Sequence, residues 1–393
     1  MISVQEAQNL IRQEIQVLAA VTRPLLQTAS SVLAQDIFAN TDIPAFEQSS
    51  VDGYAIRFAD KDLVLKVRGE MAAGTATSLA IEPGQAVRIF TGAPLPVGAD
   101  TVVMQENVIR TDDTIQINDP AITKGLSVRP RGSEIKARAM ALPHDTQLSP
   151  AAIGFLAGIG IGQVPVYSMP SVSILVTGNE LQSPGQLLSA GQVYESNSYS
   201  LTAALREAGV SNIHVLQVPD NLSNLKNQLE SVLEWTDLVL ITGGVSVGDY
   251  DFVVEAAARC EVRTIFHRVS QKPGKPLFFG MKGKVPVFGL PGNPSSVLSC
   301  FYNYVLIAVE QLSKKKNATR MIRARMKNNY NKPGGLTHFL KGRYEAGLVE
   351  VLTAQASYQL SSFAAANCLV ILAEEQERVD AGDEVTVLLL PGC

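Results

Sequence analysis

The stretch DLVLITGGVSVGDYD, residues 237–251, decides the interpretation of the fold, because an apolar run stops there at two glycines. Residues 238–241 are apolar and partly β-branched, which favours a buried strand. Gly243 and Gly244 predict a tight turn, since glycine adopts backbone conformations that other residues avoid. Apolar periodicity then predicts a helix over 252–260. The order is strand, glycine-rich turn, helix.

A turn of this kind can bind an anion. The first backbone N–H groups of the following helix have no partner within the helix and point towards the loop, which suits a phosphate. The candidate contact residues in this loop are Gly243, Gly244, Ser246, Gly248 and Asp249. The same pattern also fits a tight strand-to-helix turn without a ligand, because a glycine-rich turn alone is a weak signal.

Outward from this stretch, predicted strands alternate with predicted helices from residue 171 to about 312. This alternation predicts βαβ units and a mostly parallel sheet with helices on both faces. Ligands of such sheets bind beyond the carboxyl ends of the strands. Polar loops follow five predicted strands and would line one crevice: residues 177–180, 219–221, 243–251, 272–276 and 290–294. Each loop alone would also fit an ordinary turn.

These polar loops carry charged groups of both signs. The acidic residues are Glu180, Asp220, Asp249 and Asp251. The basic residues are Lys272 and Lys275, with Arg268 shortly before them in the sequence. Carboxylates are hard oxygen ligands of the kind that Mg²⁺ takes beside phosphates, and the cations suit an oxyanion or a phosphoryl group. Together they predict an anionic, phosphate-bearing ligand bound with Mg²⁺.

Changes along the chain between helical periodicity and short β-rich runs predict four domains. They are a helical and linking domain (1–39 plus 135–167), an inserted β domain (40–134), an α/β domain (168–317) and a C-terminal β domain (318–393). Apolar periodicity predicts helices over 3–19 and about 29–38 in the first domain. The basic run Lys314-Lys315-Lys316 favours a solvated linker before the last domain and leaves a patch that binds anions as the alternative.

Composition restricts the class of protein. With 393 residues and 46% hydrophobic residues, the chain can bury several cores and is not expected to be mainly disordered. The net charge of −4 provides no basic field for a nucleic-acid partner. The four cysteines are scattered, and the amino terminus has no signal-peptide pattern. We therefore expect a cytoplasmic protein with no membrane segment and no nucleic-acid partner.

Five motifs carry a resemblance to a known family. They are SVDGYA (50–55), RIFTGAP (88–94), TGGVSVG (242–248), KPGKP (272–276) and GLPGNP (289–294). The chain resembles the molybdopterin molybdenumtransferases in the order and spacing of these motifs. This is the MoeA family, to which the gephyrin E domain and its plant counterpart belong. The resemblance extends over essentially the whole chain.

The resemblance implies a fold and a reaction. It implies an elongated four-domain subunit that forms a homodimer, with the active site between the α/β domain of one subunit and the β domain of the other. It also implies that adenylylated molybdopterin and molybdate, with Mg²⁺, give molybdenum cofactor and AMP. A molybdopterin adenylyltransferase would be the upstream partner. The pterin, the molybdate and the partner subunit come only from the resemblance.

The matched motifs also imply chemical roles for five residues. Asp52 and Thr91 correspond to site residues of the β domain. Glu180, Asp220 and Asp251 correspond to the carboxylates of the α/β cleft, which would hold Mg²⁺ or activate water at the phosphoanhydride. The resemblance does not separate those two roles.

Other matched residues would bind the ligands. Lys272 and Lys275 would hold molybdate or phosphate, and Pro291 and Pro294 would shape the adjacent loop. The glycine-rich turn would form half of a pterin and phosphate pocket. A serine motif in the C-terminal domain supplies Ser361 and Ser362.

Three positions depart from the family pattern. Glu134 stands where an aspartate is usual, Arg268 where a lysine is common, and Lys341 where an arginine is common. The charge is kept each time, but lysine cannot reproduce the bidentate geometry of arginine. We expect activity to be retained.

Two alternatives remain open at the level of sequence. A member of this family could bind the pterin and serve as an assembly scaffold, as gephyrin does. Another could insert tungstate, because the two oxyanions have nearly the same size and charge.

Overall fold

The computed structural model of the chain describes residues 1–74, 79–243, 252–316 and 319–391. The chain folds into two compact units. The larger comprises Met1–Val21, Ser30–Val32 and Val166–Cys393, and the smaller comprises Thr22–Ala29 and Leu33–Pro165. The finer division into four domains stays a prediction. Five residues predicted for the site lie outside the described residues: Gly244, Ser246, Gly248, Asp249 and Asp251.

The larger unit contains the predicted α/β sheet. Within the described residues its six strands lie in the order Ile213–Val218, Val172–Thr177, Leu238–Thr242, Val285–Leu290, Phe278–Lys282 and Arg263–His267. The first four strands are parallel, and Phe278–Lys282 is antiparallel to both of its neighbours. Arg263–His267 therefore runs in the same direction as the first four. The carboxyl ends of these five strands consequently lie at one edge of the sheet, and of the loop 243–251 only Gly243 is among the described residues.

Helices cover both faces of this sheet, because successive strand residues point to opposite sides. The side chains of Ile174 and Leu240 pack into one core and those of Leu175 and Ile241 into the other. The helices of this unit are Val4–Glu14, Asn197–Glu207, Leu222–Leu233, Phe252–Arg259, Pro294–Cys300, Leu306–Ser313 and Ser361–Ala365, with a π-helical turn at Phe301–Val305. The structure confirms the prediction of a mostly parallel sheet with helices on both faces.

The first predicted helix is shorter than its periodicity indicates. It begins at Val4, where the Ser3 side chain accepts a hydrogen bond from the Glu6 backbone N–H, and it ends at Glu14. Ile15 is extended, and the backbone N–H of Leu18 donates to Leu312 O at 2.8 Å. A tertiary hydrogen bond thus replaces the helical one that the apolar spacing predicted.

The prediction of a helix over 29–38 is wrong. Ser30 has φ +61°, and the only regular element recorded there is a two-residue strand, Ile37–Phe38. The backbone N–H of Leu33 donates to Thr146 O at 3.0 Å. Val32, Leu33 and Ile37 are buried, whereas Phe38 is 48% exposed, so the apolar spacing of this segment does not describe one buried helical face.

The smaller unit contains the inserted β structure. Within the described residues its main sheet has the order Thr101–Met104, Gly53–Ile56, Gln85–Ile89, Leu65–Met71, Thr114–Ile117 and Val108–Thr111. Its shorter strands are Ile37–Phe38 with Met140–Leu142 and Gln48–Ser49 with Val128–Arg129. A helix, Pro150–Gly158, follows near the end of the unit, with strands Ala20–Pro24 and Gln163–Tyr167 at its boundaries. The predicted β-rich segment is confirmed.

The C-terminal part of the larger unit is also β-rich, as predicted. Its sheet has the order Gln271–Lys272, Thr337–Glu345, Leu348–Val351, Arg320–Met326, Glu384–Leu389 and Cys368–Leu372 within the described residues. Cys368–Leu372 also pairs with Thr337–Glu345. Short strands pair Leu181–Gln182 with Val193–Tyr194, and Tyr330–Asn331 with Arg378–Val379. Because Gln271–Lys272 joins this sheet, it links the lysine loop to the C-terminal region.

The basic run before this region is not a purely solvated linker. Lys314 has φ +53°, and its Nζ lies 5.2 Å from the centre of the Tyr167 ring. Lys315 Nζ donates to Ala208 O at 2.8 Å at the end of a helix, and burial lowers its pKa. No helix among the described residues is long and apolar enough to cross a membrane.

Candidate functional site

The described part of the glycine-rich turn lies against neighbouring loops. Gly243 has φ +83°, and a Cβ there would lie 2.3 Å from the backbone oxygen of Thr177. Only glycine fits this approach. A Cβ on Gly292 would lie 3.8 Å from Gly243 Cα, and Asn197 Nδ2 donates to Gly292 O at 2.8 Å. Three of the five predicted loops therefore meet at this edge of the sheet.

Two predicted carboxylates lie close together. Asn179 Oδ1 accepts a hydrogen bond from the Asp220 backbone N–H at 3.2 Å. Burial, and then the negative charge of Glu180, raise the pKa of Asp220 above its ordinary value. A cavity of about 330 Å³ opens beside them, lined by Val176, Gly178, Asn179, Leu181, Gln217, Val218 and Pro219. Among the described residues no group of three or more potential metal ligands is present. The pair nevertheless fits a divalent cation, which would relieve the repulsion between the two charges.

A second cavity, of about 340 Å³, lies beside the predicted lysine loop, residues 272–276. Its lining comprises Gln271, Lys272, Pro273, Gly274, Lys275, Pro276, Pro291, Asn293, Ser296, Leu336, Gln355 and Ser357. None of these lining residues is acidic. We call this cavity the lysine pocket. Its wall combines two sheet-edge loops with residues of the C-terminal region, which suits a small anion.

The lysine loop is held by backbone hydrogen bonds on both sides. The N–H of Val269 donates to Lys275 O at 3.0 Å, and the N–H of Thr337 donates to Ser270 O at 3.0 Å. Lys272 is paired with His338 in the C-terminal sheet. Burial, and then the charges of Lys332 and Lys272, lower the pKa of His338 to about 4. His338 is therefore neutral at pH 7 and adds no charge to the pocket.

The proline loop that faces the lysine loop is bound to the C-terminal region. Asn293 Nδ2 donates to Ser357 Oγ at 2.9 Å, and the N–H of Ser295 donates to Ser357 O at 3.1 Å. Pro291 is buried in the pocket wall, and Pro294 is the first residue of a helix. The loop-shaping role of the two prolines stays a prediction.

Lys341 and Ser362 contact the pocket only indirectly. Lys341 is 2% exposed, and its Nζ donates to the backbone oxygens of Ala354, Ala356 and Gln359. Ser362 Oγ donates to Ala354 O at 2.7 Å. Both side chains therefore fix the loop that carries Ser357, and their predicted ligand contacts stay a prediction. Ser361, the first residue of a short helix, is exposed.

Arg268 precedes the lysine loop with φ +78°. Its backbone N–H donates to Leu277 O at 3.1 Å, and its backbone oxygen accepts from Ile2 N at 3.4 Å. Its Nε is buried and has no hydrogen-bond partner among the described residues. An uncompensated donor at this position is compatible with the predicted contact to an anion.

In the smaller unit, Asp52 and Thr91 are in direct contact. Asp52 Oδ1 accepts from both the backbone N–H and the hydroxyl of Thr91, each at 2.8 Å. These two hydrogen bonds, with the charge of Arg88, hold the pKa of the Asp52 carboxyl below its ordinary value. The guanidinium carbon of Arg88 lies 5.1 Å from the centre of the Tyr54 ring and 5.0 Å from the centre of the Phe90 ring. Asp52 is thus an exposed, ionised carboxylate with a fixed orientation.

Glu134 also belongs to the smaller unit. Its side chain is exposed, and its backbone N–H donates to Ile43 O at 2.9 Å. The preceding Arg131 forms an ion pair with Asp42, with 2.7 Å between Nε and Oδ2. The loop that carries Glu134 is therefore fixed by its backbone and by neighbouring side chains, while the Glu134 carboxylate faces solvent.

The sequence interpretation missed the C-terminal side of the lysine pocket. Leu336, Gln355 and Ser357 line it. Leu336 follows a turn with two glycines that predicts no ligand by itself, and Gln355 and Ser357 lie in a segment without glycine-rich or charged patterns. Asn293 could have been found, because it stands within the motif GLPGNP. Gln271, beside Lys272, carries no sequence signal of its own.

Three regional comparisons cover nearly the whole chain. Residues 2–160 match the MoeA N-terminal region (domain I and II). Residues 173–312 match the probable molybdopterin binding domain, and residues 312–390 match the MoeA C-terminal region (domain IV). The fold and the sheet-edge loops therefore define a multidomain protein with an α/β domain of the molybdopterin-binding type.

Full-length relatives point to the same family. The molybdopterin molybdenumtransferase of Haemophilus influenzae is 34% identical over 372 residues, 92% of each chain. Molybdopterin molybdenumtransferase 2 of Mycobacterium tuberculosis is 32% identical over 400 residues, 98% of each chain. The solved structure of the molybdopterin biosynthesis MoeA protein from Pyrococcus horikoshii has a TM-score of 0.86 at 29% identity and covers 100% of both chains. The chain belongs to the MoeA family of molybdopterin molybdenumtransferases, which confirms the resemblance and the predicted fold class.

Proposed function

We propose that this protein is a transferase that inserts molybdate into adenylylated molybdopterin, releasing AMP and forming molybdenum cofactor. Family membership supports the reaction class. The lysine pocket is the observation that carries the proposal, because it offers two exposed ammonium groups to a small anion. Neither Lys272 nor Lys275 has an ion-pair partner among the described residues.

The lysine pocket suits a tetrahedral dianion. Molybdate has four oxygens that accept hydrogen bonds and a double negative charge, which the two ammonium groups would balance. The amide of Asn293 and the hydroxyls of Ser296 and Ser357 provide neutral polar groups around them. The role of these residues is to bind the oxyanion and to hold it in position for transfer.

The carboxylates of Glu180 and Asp220 are the part of the site that suits Mg²⁺. Burial, and then the negative charge of Glu180, raise the pKa of Asp220, and a divalent cation between the two carboxylates would offset both effects. When bound, Mg²⁺ would neutralise phosphate charge at the phosphoanhydride. We propose that Asp251 is a third carboxylate of this cluster, because its motif resembles that of the family. Asp251 lies outside the described residues.

The lysine loop, the carboxylates and Asp52 would then have different roles in the reaction. The lysine loop holds the oxyanion, and the carboxylates orient the phosphoanhydride that links pterin and AMP. Asp52, kept ionised by Thr91, accepts a proton or orients a water. We further propose a homodimer in which Asp52 and Thr91 of one copy serve the lysine pocket of the other, supplied by a molybdopterin adenylyltransferase in the cytoplasm.

The test uses purified protein with adenylylated molybdopterin, molybdate and Mg²⁺. The expected result is AMP release that depends on molybdate, together with incorporation of molybdenum into the pterin product. Omission of Mg²⁺ should slow the reaction, and tungstate in place of molybdate measures metal preference. Absence of molybdate-dependent AMP release from a folded protein would contradict the proposal.

Mixed subunits test the shared site. Assayed near the wild-type KM for molybdate, Asp52→Asn and the double variant Lys272→Met/Lys275→Met should each keep no more than about 1% of wild-type activity. After subunit exchange, a mixed dimer keeps one intact composite site, so about a quarter of the wild-type activity should return. If exchange is verified by mass and no activity returns, the site is not shared between copies.

A further inference from the structure

A buried glutamine links the lysine loop to the helix behind it. Gln271 is 1% exposed, and its Nε2 donates to the backbone oxygen of Gly274 at 2.8 Å. Its Oε1 accepts from the hydroxyl of Tyr304, which is fully buried. One amide group therefore connects the middle of the loop to a side chain of the 294–313 helical segment.

Tyr304 lies on the π-helical turn Phe301–Val305, between two α-helices. A π turn inserts one extra residue into a helix and changes the direction of the side chains that follow, and such turns are frequent at functional sites. Side chains support this turn: Asn303 Nδ2 donates to Ser299 O at 2.8 Å, and Gln8 Nε2 donates to Asn303 O at 3.2 Å. The turn is thus a stabilised part of the helical segment that presents Tyr304 to Gln271.

The loop also rests directly on this helical segment. Gly274 has φ +84°, and a Cβ there would lie 2.6 Å from the Sγ of Cys300. Gln271 Nε2 lies 3.5 Å from the same sulfur. Burial raises the pKa of the Cys300 thiol to about 12 and that of the Tyr304 hydroxyl well above its ordinary value. Both groups therefore stay protonated and uncharged, and Tyr304 remains a donor to Gln271.

We propose that Gln271 and Tyr304 are positioning residues that fix the separation of the Lys272 and Lys275 ammonium groups. The inference rests on the proposed function, in which these lysines bind molybdate. Two like charges on one short loop repel each other, and the hydrogen bond to Gly274 O opposes that repulsion. Both amide protons of Gln271 are engaged by the loop and by Cys300, and its oxygen is engaged by Tyr304. Its amide therefore acts on the loop and not on the ligand.

The test compares Tyr304→Phe with wild type. The variant removes one hydroxyl and leaves the buried Gln271 Oε1 without a donor. The protein then loses this hydrogen bond and also carries the desolvation cost of an unpaired acceptor. We expect the Kd for sodium molybdate and the KM for molybdate to rise about tenfold, with kcat nearly unchanged. Backbone amide exchange over residues 272–276 should become faster. The KM for adenylylated molybdopterin should not change.

Phe301→Leu is the matched control, since it lies on the same π turn and has no hydrogen bond to the loop. It should lower thermal stability without changing molybdate affinity or amide exchange at the loop. If Tyr304→Phe behaves as Phe301→Leu does, the network is only structural and the inference fails. If Tyr304→Phe does not fold, Gln271→Met gives the same comparison of exchange and affinity.

The two proposals fail in distinguishable ways. A wild-type protein that neither binds molybdate nor releases AMP contradicts the proposed function, whatever the variants do. A wild-type protein that does both, with unchanged molybdate affinity and loop exchange in Tyr304→Phe, contradicts only the positioning role. Amide exchange reports on loop order without any substrate.

Discussion

The lysine loop and the Asp52 turn both present charged groups, but different kinds of contact hold them. Beneath the lysine loop lie the buried side chains of Gln271, Tyr304 and Cys300. Asp52 instead depends on hydrogen bonds from one exposed residue, Thr91. The first arrangement is built into a hydrophobic core, whereas the second can be changed without disturbing one.

This difference predicts which measurements each region controls. A buried network fixes geometry, and its loss changes ligand affinity and stability together. An exposed hydrogen bond to a carboxylate mainly sets its pKa and orientation, and its contribution to stability is screened by water. Substitutions at the lysine loop should therefore appear in molybdate binding, and substitutions at Thr91 should appear in the pH dependence of the reaction.

The largest effect is expected from removing both positive charges of the lysine loop. Lys272→Met/Lys275→Met should lower kcat/KM about 10³-fold, because each charge-assisted hydrogen bond to an oxyanion contributes about 1.5–3 kcal/mol. Steady-state AMP release and direct molybdate binding measure this. The loss should appear mainly as a higher KM for molybdate, since the lysines bind the oxyanion in the proposed site.

Lys284→Met is the control for this prediction, because Lys284 is an exposed lysine in the same α/β region and outside the pocket lining. It should leave both parameters unchanged. If the double variant kept wild-type molybdate affinity, the oxyanion would have to bind elsewhere. The lysine loop would then not control molybdate binding, which contradicts the proposed difference between the two regions.

A smaller effect is expected at the exposed turn. Asp52→Asn should lower kcat about 10²-fold, within the range for loss of a general acid–base group. Thr91→Val keeps the backbone N–H, which is the larger cause of the low pKa of Asp52, and removes the hydroxyl, which is the next. The pKa of Asp52 should therefore rise in Thr91→Val. The acid limb of the kcat/KM profile should then move to higher pH.

The pH profile distinguishes this role from a loss of folding. A partly unfolded enzyme would lose amplitude at every pH, whereas a change in the pKa of Asp52 moves only the acid limb. Asp62→Asn, at an exposed aspartate of the same unit, should move neither. An unshifted acid limb in Thr91→Val would show that Asp52 does not set the pH dependence.

The α/β sheet could be predicted because its signals are local. Apolar runs end at polar or glycine-containing turns. The run 238–241 forms the strand Leu238–Thr242, and the helix predicted over 252–260 is Phe252–Arg259. The segment 29–38 could not be predicted, since its N–H groups bond to carbonyls far along the chain. The prediction for Lys315 was incomplete for the same reason, because its ammonium group donates a hydrogen bond to the backbone oxygen of Ala208, at the end of a helix far along the chain.

The candidate site could be predicted only in part. Charged loops at strand ends identified Lys272, Lys275, Glu180 and Asp220, because parallel strands bring their carboxyl ends together. Ser357 could not be found this way, since it reaches the pocket through tertiary folding of the C-terminal region. The buried side chains beneath the lysine loop, Gln271, Tyr304 and Cys300, also form no polar pattern in the sequence.

The last contrast between the two regions is in acid stability. His338, paired with Lys272, has a pKa near 4 in the folded protein and an ordinary value of 6.5. Between these values the unfolded state binds a proton that the folded state does not, so stability should fall as the pH drops from 6.5 to 4. The full loss is at most about 3.4 kcal/mol. The low pKa of Asp52 acts in a lower window, below its ordinary value of 3.8.

Urea unfolding at pH 7, 5.5 and 4 measures this dependence. His338→Gln should flatten the decline between pH 6.5 and 4, because glutamine takes up no proton in either state. His214→Gln, at an exposed histidine, should keep the wild-type slope. Thr91→Val should also keep it, since the Asp52 carboxyl titrates at lower pH. If His338→Gln declined as steeply as wild type, the acid sensitivity would arise outside the buried support of the lysine loop, and the contrast with the exposed turn would not extend to stability.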